Sequence, residues 1–158
     1  MRILYLVLLG FIVACTSPAE NQETTVQESL VTRPIKIGNA AGNVNGYYIN
    51  DSLVRIEALV HASKGTESET FLFKNGSAQS AICVSPELTA DSTIVFQEYS
   101  FTLQNESILN LQSRTAPSRE GLSEIAFAAY SGDINAIQKR YVGKLKAYLI
   151  ALEMKRDN

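Results

Sequence analysis

The chain has 158 residues, the length of one ordinary domain, with 46% hydrophobic and 19% charged residues and a formal net charge of −2. This mildly acidic balance argues against a nucleic-acid partner, which needs a basic face. Two cysteines, one histidine and no tryptophan leave neither a disulfide framework nor a clustered metal-ligand set.

The chain opens on Arg2, an unbroken apolar run over residues 3–14, and then Cys15. A positive start, an apolar core of ~7–15 residues and a small residue before the cut are the parts of an export signal. The run falls short of the ~20 apolar residues that span a bilayer. It is apolar on every side and is followed at once by Thr16-Ser17-Pro18, which argues against a core helix.

Ile12-Val13-Ala14-Cys15 resembles the lipobox of bacterial lipoproteins. The resemblance implies removal of residues 1–14, a thioether-linked diacylglycerol on Cys15, and fatty acylation, palmitate for example, of the new amine. One acyl chain holds a protein on a bilayer only marginally, whereas two or more hold it firmly. Thr16 stands where an acidic residue would imply inner-membrane retention in enteric bacteria. The resemblance therefore implies the outer membrane, on its periplasmic or outer face. With Cys15 alkylated, Cys83 has no partner for an intramolecular bridge, and its setting in Ala81-Ile82-Cys83-Val84 predicts a buried, inert thiol.

Residues 16–32 are rich in Ser, Thr, Gln and Glu and carry little that packs, so the reading places Cys15 and a flexible tether at 15–33. A single α+β domain is expected over 34–158, with a β-meander at 34–114 and helices at 118–156. Ile35-Lys36-Ile37 is its first short strand.

Three units then repeat the order aromatic strand, Asn-led turn, aliphatic strand. Tyr47-Tyr48-Ile49 precedes the turn at Asn50-Asp51, Phe71-Leu72-Phe73 precedes Asn75-Gly76, and Tyr99-Ser100-Phe101 precedes Asn105-Glu106. Asn-Gly is the strongest short hairpin signal, because both residues tolerate the positive φ of a type I′ turn. The flanking strands alternate as a half-buried sheet should: Ile56, Ala58 and Val60 against Arg55, Glu57 and His61. Polar stretches at 62–70 and 85–93 are expected to be loops. The pattern predicts an antiparallel meander of about six strands, loosely similar to small lipoproteins of Bacteroidetes-type bacteria. The N-x-Ser matches at Asn50, Asn75 and Asn105 are explained by turn chemistry. Asp51-Ser52-Leu53 and Asp91-Ser92-Thr93 resemble a short O-glycosylation acceptor motif of the same bacteria.

After Pro117 the period changes. Leu122, Ile125, Ala126 and Ala129 predict a short helix with Ser118 as its cap, ended by Gly132. Asp133 caps a longer helix whose stripe is Ile137, Tyr141, Leu145, Tyr148 and Leu152. Lys139, Arg140 and Lys146 are read as a solvated face, with anionic headgroups as the sharper alternative. A second stripe, Gly143, Ala147, Ile150 and Met154, is a candidate partner patch. The Gly132-Asp133 step resembles the core of an ankyrin repeat, but a single copy cannot bury its faces.

No phosphate loop, zincin helix, CxxC pair or nucleophile motif is present, so no catalytic residue, metal or cofactor is assigned. Glu67, Glu69, Glu87, Asp91 and Glu98 are the acids from which a carboxylate pair would be drawn. Tyr47, Tyr48, Phe71, Phe73, Tyr99 and Phe101 are candidate pocket residues between sheet and helix, against the blander reading that they are core. The function expected is binding by a lipid-anchored envelope protein, as an accessory subunit or ligand holder for an unknown envelope partner. The alternatives are an envelope enzyme using scattered carboxylates, or an inhibitory or structural module acting through a sheet edge or the terminal helix.

Overall fold

The computed structural model describes residues 27–153. Cys15, Met154 and the apolar leader lie outside them. Strands β1 (Glu28–Ile37), β2 (Ala40–Ile49), β3 (Ser52–Ala62), β4 (Gly65–Lys74), β5 (Ser77–Leu88), β6 (Ile94–Gln104), β7 (Ser107–Ala116) and the two-residue β8 (Ala128–Ala129) form one antiparallel sheet. The spatial order is the chain order, so every connection is between neighbours. A single helix, α1 (Ile134–Glu153), crosses one face. The α+β meander with a C-terminal helix thus stands, with eight strands rather than about six and one α-helix rather than two among the described residues.

The three Asn-led turns carry out their local chemistry. Both residues of each have positive φ: Asn50 48° and Asp51 61°, Asn75 53° and Gly76 76°, Asn105 49° and Glu106 63°. That is the backbone of a type I′ turn, whose twist matches the strands it joins.

The inner face buries Val44, Ile56, Ala58, Phe71, Cys83 and Phe101 against α1. The helix returns Ile137, Tyr141, Leu145, Tyr148 and Leu152, the stripe expected from the period. Tyr141 packs 5.7 Å from Tyr99 and 5.8 Å from Phe101 between ring centroids, and Tyr148 meets Phe71 edge-on at 6.3 Å. Asp133 Oδ1 accepts from the amides of Asn135 and Ala136, satisfying two donors at the helix start.

Three expectations change. The strand β1 begins at Glu28, inside the stretch read as tether. It is an edge strand, so its outward side chains stay polar or exposed and disguise it. Residues 65–70 belong to β4 and residues 85–88 to β5, not to loops. Their acids point inward, where α1 supplies countercharges. Finally, residues 118–132 hold no α-helix. A 3-10 turn (Glu120–Glu124) buries Leu122, Ile125 is extended, and Ala128–Ala129 pair with Gln112 and Ser113 of β7. An unpaired sheet edge recruits this segment, because its orphan amides and carbonyls outweigh a weak helical period. Ser118 still accepts the Gly121 amide through its hydroxyl.

Candidate binding site at the hairpin tips

Each of the three Asn-led hairpins contains a β-bulge close to its turn. Tyr47 pairs with Arg55 but Tyr48 with Leu53, leaving Val54 extra. Leu72 pairs with Ser80 but Phe73 with Ala78, leaving Gln79 extra. Between Ser100–Gln112 and Thr102–Leu109, β7 spends two residues against one, with Asn110 at φ 51°. Asn110 Nδ2 donates to Thr102 Oγ1, and that hydroxyl donates to the Leu109 carbonyl, which fixes the bulge. A bulge bends and twists its strand locally.

The three bulges lie at one level of the sheet, and there the pairing between successive hairpins stops. The β3–β4 ladder reaches only to Arg55–Leu72, and the β5–β6 ladder only to Ser80–Thr102. Beyond these pairs the hairpin tips stand apart. A cavity of about 830 Å³ opens between the 75–76 and 105–106 tips. Phe73, Ala78 and Leu103 wall it, and Val142, Leu145 and Leu149 of α1 form its floor. A smaller one of about 180 Å³, lined by Tyr48, Leu53, Phe73 and Leu152 among others, lies between the 50–51 and 75–76 tips. A third of about 520 Å³ continues along α1 past Lys146, Gly143 and Lys139. Together they run along one side of the helix, with polar turn residues at the rim; the floor of the first two is apolar, and the third is lined mainly by polar and charged side chains.

The candidate pocket aromatics divide four ways. Phe71, Tyr99 and Phe101 are core. Phe73 lines the two adjoining cavities and Tyr48 the smaller one. Tyr47 lies on the opposite face of the sheet, donating its hydroxyl to Glu57 Oε2 at 2.7 Å with the Arg55 guanidinium 4.0 Å over its ring. Tyr47 and Tyr48 are adjacent in β2, and successive side chains of a strand face opposite sides of the sheet, so the two could not line one pocket together. In the candidate partner patch, Ile150 is 56% exposed and Gly143 is exposed, while Ala147 is half-buried.

Sequence reasoning missed a charge network under α1. Glu69 is 2% exposed, accepts from the Tyr148 hydroxyl and is paired with Lys144. Lys144 also binds Glu67, which meets Arg140 at 3.1 Å. Arg140 reaches Glu87 at 2.8 Å, and Ser85 donates to the same carboxylate at 3.0 Å. Burial works against the Glu87 charge, but the Arg140 and Ser85 hydrogen bonds outweigh it and hold the carboxyl below the usual range. Arg140 is therefore not part of a solvated face, as the helical spacing suggested, and Lys144 joins it in the network; Lys139 and Lys146 are exposed as expected. Of the five candidate acids, Glu67, Glu69 and Glu87 come together. Glu98 lies on the other face against Arg114, and Asp91 sits in the 89–93 loop bound to Thr89. The signal available in the sequence was the alternation Glu67-Ser68-Glu69-Thr70-Phe71, which continues the inward register of Phe71.

The Cys83 thiol is fully buried, and burial pushes its pKa well up, as fits an inert thiol. Among the described residues no cluster of three His, Cys, Asp or Glu is placed to hold a metal ion. Among them, no helix is long and apolar enough to cross a membrane. The fold and site thus define a class in physical terms: an open antiparallel meander backed by one helix, with cavities between its splayed hairpin tips. Comparison with family models, with curated proteins and with solved structures finds no match.

Proposed function

We propose that this is a lipid-anchored protein of a bacterial cell envelope that works by binding, with the hairpin-tip cavities as its binding surface. The observation that carries the reading is one of placement. Glu28, the first residue of β1, pairs with Ile49 at the base of the 50–51 turn, so the chain from Cys15 enters at the edge where the cavities open. Residues 16–27 lie between, and twelve residues span at most about 40 Å whatever their conformation. The binding surface would then work within a short distance of the anchoring bilayer, on the outer membrane by the Thr16 argument. The partner is an envelope component rather than a nucleic acid.

Mass spectrometry of the protein from its native host tests the anchor. The expected species begins at Cys15 with a diacylglyceryl thioether, and Cys15→Ser moves the protein to the soluble fraction. An intact Met1 or a free Cys15 thiol would overturn the reading.

The carboxylate-enzyme alternative is disfavoured, because Glu67, Glu69 and Glu87 are each engaged by Arg140 or Lys144. The module acting through its terminal helix keeps support from one observation, the exposure of Ile150.

A further inference from the structure

We propose that the cavity of about 830 Å³ between the 75–76 and 105–106 tips takes an extended peptide segment of a partner protein, held by strand addition. The proposal rests on the reading that the protein binds at its hairpin tips, and it does not depend on the lipid.

The walls decide the class of occupant. The β5–β6 ladder ends at Ser80–Thr102, so residues 77–79 and 103–104 face each other across the cavity without pairing to each other. On their far sides Ala78 is paired with Phe73 and Leu103 with Ile108, and Gln79 is the bulge residue. Two facing strand edges offer amides and carbonyls to whatever enters. A hydrocarbon chain would bury these groups without partners, so each would lose its hydrogen bonds to water and gain none. An extended peptide would instead pair with them, as in other strand-addition complexes.

The floor decides the side chains. A strand presents alternate residues to opposite faces. Those turned toward α1 would meet Leu145 and Leu149, with Phe73 and Leu103 beside them. They should therefore be apolar, while the residues between them face solvent and are free to be polar. A volume of about 830 Å³ lies within the range of ligand pockets and suits a few residues rather than a whole domain. The charge of the neighbouring cavity sets the end of the segment. Lys139 and Lys146 line it against the single acid Glu106, which is bound to Lys146 at 2.6 Å. An acidic residue at that end of the peptide would complement the surplus cation.

Selection of a displayed library of random short peptides on the full chain, and in parallel on its Cys15→Ser variant, tests the proposal. Recovered sequences should carry apolar residues at alternate positions with an acid at one end. N-methylation of either alternate set of amides in the best peptide should weaken binding about tenfold, because each set faces one of the two strand edges. Leu149→Lys should weaken binding similarly while leaving the circular dichroism spectrum unchanged. Amides of residues 77–79 and 103–104 should gain protection from hydrogen exchange when the peptide is bound. The proposal fails if nothing is enriched, if enriched peptides show helical spacing, or if N-methylation has no effect on either set. It also fails if a fluorescent fatty acid occupies the cavity and no peptide displaces it. An unmodified Cys15 would overturn the anchor alone, since the selection returns the same peptides with or without it.

Discussion

Glu69 shows what one residue does in this protein. Its carboxylate is almost wholly buried yet has Lys144 and Tyr148 as partners, so its burial is tolerated. Removing one member of such a buried pair is far costlier than replacing both by apolar groups. Glu69→Ala should therefore lower unfolding stability by about 3 kcal/mol in urea titration, and Glu69→Leu with Lys144→Met should recover most of the loss. The tyrosines beneath α1 respond to pH in a defined direction. Burial, with Tyr130 nearby, pushes the Tyr99 hydroxyl from 10.0 up to about 12, and burial raises Tyr141 and Tyr148 too. The unfolded chain releases these protons at lower pH than the folded one. Stability is thus complete below pH 10 and declines as the pH climbs toward 12. The share of the tyrosinate absorbance that belongs to Tyr99, Tyr141 and Tyr148 should appear only together with loss of circular dichroism. If all seven tyrosines ionise while the fold is intact, these three hydroxyls are not buried as described.

At the scale of elements, the hairpin turns are local and the bulges are not. Gly76 has φ 76° with nothing within 4 Å of where a Cβ would stand. Gly76→Ala should cost about 1 kcal/mol through backbone conformation alone. Gly42 is the opposite case: a Cβ there would lie 1.9 Å from the Leu59 carbonyl oxygen. Gly42→Ala should be several-fold more damaging than Gly76→Ala in the same denaturation experiment. The three turns and the α1 stripe were legible because each depends on residues within a turn or two of one another. The strands at 28–33 and 65–70 were not, because polar residues that face a charged helix or an open edge look like loop. The 118–132 segment was misread for a different reason. Its helical period was real but weak, and the unpaired edge of β7 set its conformation.

For the whole molecule, α1 lies on one face of the sheet and presents Ile150 on its far side. Ile150→Glu separates the two surfaces under discussion. It should leave folding and peptide capture at the hairpin tips unchanged, while breaking any assembly made through the helix. Sedimentation of wild type and variant at matched concentration reads this directly. If the variant loses the selected peptides instead, the peptide site lies on the helix rather than between the tips.

The sequence by itself determined the Asn-led turns, the alternation of the strands beside them and the buried stripe of the terminal helix. Each of these follows from backbone preferences and periodicity over a few neighbouring residues. Only the tertiary structure decided that Glu67, Glu69 and Glu87 gather beneath Arg140 and Lys144, and that the hairpin tips part to leave cavities. The physical reason is range. A buried charge depends on a countercharge more than fifty residues away, and a bulge depends on the register of two strands, which no single stretch of chain encodes.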